Sequence, residues 1–174
     1  MNGTFVLSLD TESAWGLYDL QGAVEQYRGQ FEKWRESMDR LISLLEKYEI
    51  KATWDIVGHL FLDKCDGKHA DVLIPEYEDN RVDWRNVDQG DDITSNSFLH
   101  GKDVVEKIKG MNPAQEIATH TFSHIMMNHN LCTKEIAESE LQKCLQLALS
   151  SGVQIRSIVF PRNRVGNLEA VREA

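Results

Sequence analysis

Two carboxylates and two imidazoles stand at spacings that suit metal chemistry. Asp10 and Glu12 are separated by one residue, so in an extended exit from a strand their side chains point the same way. His120 and His124 lie four apart, which puts both rings on one face if the segment turns helically, a common way to grip a first-row metal. Taken singly, the acid pair reads as a cap or turn and the histidine pair as surface or core. Taken together they offer a cation one carboxylate and two imidazoles, with a second carboxylate to spare. A catalytic zinc site has that form, with three protein ligands and an open position for water.

The elements around these residues must bring them to one place. Thr4 to Leu9 is a short apolar run of strand formers that ends at Asp10-Thr11-Glu12. From Val24 to Lys47, apolar residues recur in steps of three and four (Tyr27, Phe31, Trp34, Met38, Leu41, Leu45), which predicts one amphipathic helix. Ala52 to Val57 predicts a second strand closed by Gly58 and His59. Residues 63 to 98 lack periodicity, are rich in Asp, Asn and Gly, and scatter Tyr77 and Trp84 through what reads as a long loop facing a ligand or solvent. A helix around Val104, Val105 and Ile108 leads to a third strand, Glu116 to Thr119, that runs directly into His120. Thr133 is placed to cap a helix carrying Ile136, Ala137, Leu141, Leu145 and Ala148 and ended by Gly152. Ile155 to Phe160 predicts a fourth strand, stopped by Pro161 and followed by Arg162 and Asn163. Strands alternating with helices predict an α/β fold of parallel β/α units, in which sites gather at the C-terminal strand ends. No repeat or linker divides residues 1–174, so one domain is expected.

These motifs carry a resemblance. Ser8-Leu9-Asp10-Thr11-Glu12 with Trp15-Gly16 resembles the first motif of the polysaccharide deacetylases, the NodB-like carbohydrate esterases. Thr119-His120-Thr121-Phe122-Ser123-His124 resembles that family's histidine motif, Ala52-Thr53-Trp54 to Gly58 its second strand, and Phe160-Pro161-Arg162-Asn163 a third motif of one subgroup. The resemblance implies a distorted (β/α)7 barrel, incomplete at the C-terminus of this chain because a closed β/α barrel typically takes about 250 residues. It implies Asp10 as catalytic base, Glu12, His120 and His124 as ligands of a divalent metal (zinc, with cobalt or nickel as alternatives), and Arg162 as the cation that holds the base. The reaction implied is removal of an N-acetyl or O-acetyl group from a sugar or polysaccharide, with Trp15 and Asn163 as candidate substrate contacts. The family draws its histidine general acid from a later segment, and neither His59 nor His129 matches it, so the chain is expected to bind metal and to deacetylate poorly. Spaced carboxylates ending in glutamate, as here, occur in cytoplasmic relatives of the family.

Composition narrows the rest. With 28 acidic against 19 basic side chains, the net charge of −9 argues against nucleic acid or an anionic membrane as partner. At 41% apolar residues the chain has enough material for a core. The first apolar run, Phe5 to Leu9, is too short for a signal peptide and no later run could span a bilayer, so a cytoplasmic location is expected. Cys65, Cys132 and Cys144 share no CxxC spacing and read as reduced thiols, Cys144 in the core. Trp54 and Phe122 read as core aromatics, and Glu135, Glu138 and Glu140 as solvated helix surface. The competing classes are a metal-independent amidohydrolase of the same superfamily acting on a ureide or imide, a phosphatase of the haloacid dehalogenase type, and a catalytically dead module that self-associates through an open sheet edge.

Overall fold

The computed structural model describes residues 3–75, 82–128, 130 and 132–174, so Tyr77 and His129 lie outside the described residues. Its centre is a parallel sheet of strands β1 (Ser8–Thr11), β2 (Thr53–Ile56) and β3 (Glu116–Thr119), in that spatial order. The register sets Asp10 beside Asp55 and Asp55 beside Ala118, while Thr11, Ile56 and Thr119 line up at the C-terminal ends.

Alternation makes the two faces of the sheet chemically different. Trp54, Ile56 and Ile117 point into the main core, where they meet Met38, Ile42 and Leu45 of α3 (Trp34–Lys47) and Val104, Val105 and Ile108 of α4 (Lys102–Lys109). The opposite face carries Ser8, Asp10, Thr53, Asp55 and Glu116 and satisfies much of its own polarity. Ser8 donates to the Asp55 carboxylate, and Thr53 and Ser157 each donate to Glu116 at 2.7 Å. A second apolar cluster joins Ile136, Ala137 and Leu141 of α5 (Lys134–Ser150) to Ile125, Met127 and, from α6 (Leu168–Glu173), Ala170. The Thr133 hydroxyl caps α5 by accepting from the Ile136 amide. Among the described residues no helix is long and apolar enough to cross a membrane.

Three expectations are corrected here. The (β/α)7 barrel is not formed: the described residues make a small α/β protein with three sheet strands of four residues each, far short of the strand number and tilt that closure needs. The segment from Ile155 to Phe160 is not a full strand. It makes a single parallel bridge, Thr119 with Ile158, held by Thr119 N to Ser157 O and Val159 N to Thr119 O at 3.0 Å. The predicted helix from Val24 to Lys47 is continuous only over α3; its front half breaks into two single turns, α1 (Ala23–Gln26) and α2 (Arg28–Phe31). That stretch is mostly exposed and contains Gly29, so little burial offsets the intrinsic cost of a short helix.

Arg35 ties α3 to the far end of the long loop. Its guanidinium grips Asp103 through two bonds of 2.9 Å, donates to the His100 carbonyl at 2.7 Å and also reaches the Ser97 carbonyl. Arg35→Ala is therefore expected to cost about 2 kcal/mol in chemical denaturation. Arg35→Lys should recover less than half of that loss, because an ammonium cannot reproduce the fork.

Candidate metal centre

The three parallel strands end at one rim, and the loops that leave it converge. Directly after β1, Glu12 opens a 3-10 turn, Ser13–Gly16, and its side chain folds back over Gly16. A Cβ at Gly16 would lie 3.0 Å from Glu12 Cγ and closer still to its carboxyl carbon. Only the bare backbone of glycine leaves the carboxylate that room. After β3 the chain does not turn helically, contrary to the spacing argument. His120 sits at the strand end and His124 on an irregular loop in which Thr121 (φ 61°) and His124 (φ 60°) take left-handed backbone. For a β-branched residue such as Thr121 this conformation is costly, and its hydroxyl offsets part of the cost by accepting from the Ile125 amide at 3.0 Å.

The two rings end up on one carboxylate oxygen. His124 Nε2 lies 2.9 Å and His120 Nε2 3.5 Å from Glu12 Oε2. Both imidazoles are almost fully buried, while a third of the Glu12 side chain is exposed, so the cluster opens to solvent on the carboxylate side. His120 Nδ1 lies 2.9 Å from the Val159 carbonyl. A carbonyl can only accept, so Nδ1 carries a proton and Nε2 is the ring atom that faces Glu12. A ring nitrogen held against a carboxylate oxygen at a buried position calls for positive charge between them, a proton or a metal ion, and the set of one carboxylate and two imidazoles fits a divalent metal. Burial raises the Glu12 pKa, but hydrogen bonds to His120 and His124, with their charge, outweigh it and hold the group at about 2. Burial lowers the His124 pKa against the pull of Glu12, and His124 Nδ1 has no hydrogen-bond partner among the described residues.

The other expected site residues are distributed differently. Asp10 stands exposed on the polar face of the sheet, two residues before Glu12, and makes no hydrogen bond or ion pair with a described side chain. Arg162 does not hold it. Arg162 lies in a 3-10 turn, Pro161–Asn163, with left-handed backbone at Arg162 and Asn163; it pairs with buried Asp19 and donates to the Gly16 carbonyl at 3.0 Å. Its reach is thus to the turn that seats Glu12, because Asp19 lies within range and burial favours pairing there. Trp15 is fully buried, donates Nε1–H to the Leu99 carbonyl at 3.0 Å and stacks on His59, so it offers no face to a sugar. Asn163 is exposed on its turn. Trp54 and Phe122 are core residues.

Two residues that bear on the site were missed. Asp55, a carboxylate between Trp54 and Ile56 in β2, is buried beside Asp10 and has one oxygen without a partner among the described residues. Burial raises its pKa against the Ser8 hydrogen bond. The signal was a charge in the middle of the run from Ala52 to Val57. Glu140 is corrected from solvated surface to fully buried: it accepts from the Ser123 amide at 2.8 Å and the Ser123 hydroxyl at 2.6 Å, fixing the loop between the two histidines. Burial, only partly offset by these bonds, pushes its pKa up to about 7.

Because native Glu140 keeps its proton to about pH 7 while the unfolded group loses it near the ordinary glutamate value of 4.5, its contribution to stability falls as pH rises between those values and is level above them. Glu140→Gln can serve both Ser123 groups, so thermal melts across this range should show a smaller decline with pH and no loss at pH 8. Glu140→Ala should cost about 2 kcal/mol or more at the acid end of the range and less as pH rises toward 7. No protein-family model, curated protein or solved structure matches the chain.

Proposed function

We propose that the chain is a metal-dependent hydrolase that removes an acetyl group, most readily N-acetyl, from a sugar or polysaccharide. The single observation that supports this reading is the convergence of His120 and His124 Nε2 on one Glu12 oxygen at the rim of a parallel sheet. The motifs that resemble those of the polysaccharide deacetylases contribute all three residues and add Asp10. Zinc is the proposed ion, with cobalt or nickel as functional substitutes, since imidazole and carboxylate suit all three.

When bound, a divalent metal supplies a Lewis acid that polarises an acyl carbonyl and acidifies water from about pKa 15.7 toward 7. The chain's own residues do the rest. His120 and His124 present lone pairs, and the carbonyl of Val159 keeps the first ring in the tautomer that ligation needs. Glu12 stays ionised and offsets cationic charge. Asp10 serves as base: exposed and without a hydrogen-bonding partner among the described residues, it keeps its lone pairs for the proton of an attacking water. Arg162 is a positioning residue that anchors the Gly16 carbonyl under Glu12. All the described histidines belong to side-chain clusters, His120 and His124 here and His59, His69 and His100 elsewhere, so none is free to protonate the leaving amine and turnover is expected to be slow.

Elemental analysis should find about one equivalent of zinc fewer per chain in the His120→Ala/His124→Ala variant than in the purified wild-type chain. Acetate released from an N-acetylated oligosaccharide should fall about a hundredfold or more in Asp10→Asn with that metal retained. A folded chain whose metal content and acetate release are unchanged by these substitutions would sink the reading. Gly16→Ala should leave the melting temperature nearly unchanged, since a flexible side chain yields, yet weaken zinc in chelator competition by about tenfold to a hundredfold.

A further inference from the structure

The long loop between β2 and α4 sends Leu60, Phe61, Trp84 and Leu99 into the main core and is also closed on itself. Lys64 and Asp92 form an antiparallel bridge, the Cys65 amide donates to the Asp91 carbonyl at 3.0 Å, and the Ile93 amide donates to the Asp63 carbonyl at 2.8 Å. At the closure Gly67 and Gly90, both at positive φ, cross so tightly that a Cβ on Gly67 would lie 2.7 Å from the Gln89 carbonyl carbon. What this closure surrounds is polar: His59, His69 and Asp88 are buried, and Cys65 is half-buried beside them.

Asp88 is the hub. Its Oδ2 lies 2.7 Å from His69 Nε2 and 3.1 Å from His59 Nε2, and its Oδ1 lies 3.0 Å from Cys65 Sγ. His59 Nδ1 lies 2.9 Å from the Leu99 carbonyl and must donate to it. The remaining nitrogen of the neutral ring is then an acceptor, directed at a carboxylate oxygen that is also only an acceptor, in a place with no solvent. A cation among the four side chains removes the conflict. One thiolate, two imidazoles and one carboxylate make a closed four-ligand set of the kind that holds structural zinc, and the carbonyl behind His59 is the outer partner such a ligand usually has. A competing group of Cys65, Asp91 and His100 offers only three side chains and shares the same sulfur.

We propose that His59, Cys65, His69 and Asp88 form a structural zinc site, separate from the rim cluster, that closes the loop onto the sheet. Its position gives it a second consequence. His59 stacks on Trp15 at 4.4 Å between ring centroids, and Phe122 packs on His59 at 5.5 Å and His69 at 4.9 Å. Trp15 belongs to the turn that seats Glu12, and Phe122 lies between the two rim histidines. The loop zinc therefore buttresses both walls of the rim cluster without touching it.

The sulfur makes the two sites separable by experiment, since only this one has a thiolate. The full chain loaded with cobalt(II) should show a thiolate-to-cobalt charge-transfer band that persists in His120→Ala/His124→Ala and disappears in Cys65→Ser. Zinc analysis of the rim double variant should still find one equivalent per chain. Should Cys65→Ser fail to fold, alkylation of the wild-type chain keeps the test: Cys65, the half-exposed cysteine, should react with a maleimide only after chelator treatment, whereas Cys132 and Cys144 are buried. Absence of the charge-transfer band, zinc abolished by the rim double variant, or Cys65 alkylation indifferent to chelator would each overturn the site and leave a hydrogen-bonded network around Asp88. One equivalent that survives the rim double variant, with no second equivalent in the wild type, would support the loop site and remove the metal from the proposed function.

Discussion

A backbone carbonyl that can only accept sets the chemistry of this molecule twice. Val159 O fixes the proton on His120 Nδ1 and Leu99 O fixes it on His59 Nδ1. In both cases the far nitrogen is the ring atom turned toward a carboxylate. Such an arrangement is expensive unless positive charge lies between the two. The carbonyls themselves are held by the architecture, Val159 by the bridge of its segment to β3 and Leu99 by the end of the loop that Arg35 fastens to α3. The sheet and the ion pair at Arg35 thus decide which atoms of two imidazoles are available.

The rim is assembled from loops whose backbone is unfavourable in isolation. Ser13, Thr121, His124, Arg162 and Asn163 all adopt left-handed φ, and none is glycine. Strain of this kind persists when surrounding contacts over-determine it. The contacts are visible: Glu140 grips Ser123 from α5, Thr121 bonds to Ile125, and Arg162 spans from the fourth segment to Gly16 and Asp19. Each of these holds a loop and not a ligand, so the precision of the cluster depends on residues that never meet it.

Much of this was legible in sequence, for identifiable reasons. Short apolar runs ending abruptly in Asp10-Thr11-Glu12 and in His120 mark strand ends, and parallel connection brings such ends to one rim. Legibility failed where the deciding contact was long-range. Glu140 sits among helix positions that read as acidic surface, and only its pairing with Ser123 accounts for its burial. His59, Cys65, His69 and Asp88 share no compact spacing, because a loop closure and not a helix or knuckle brings them together. Trp15 follows a motif residue, which suggested ligand contact, yet its ring fills the space between that turn and His59. Barrel closure is likewise a property of many strands together, and the motifs at the ends of individual strands say nothing about how many there are.

The polar face of the sheet constrains whatever else can lie against it. Glu116 is already engaged by two hydroxyls, and Asp55 by one. An apolar helix laid across Ser8, Asp10, Thr53 and Glu116 would strip water from two exposed carboxylates without replacing it, at a cost that grows with every oxygen left unpaired. A sugar ring or another hydroxyl-rich surface would not, since it brings donors. The face therefore acts as a filter for wet, hydrogen-bonding company, and it protects an open three-stranded sheet from the hydrophobic stacking to which bare sheets are prone.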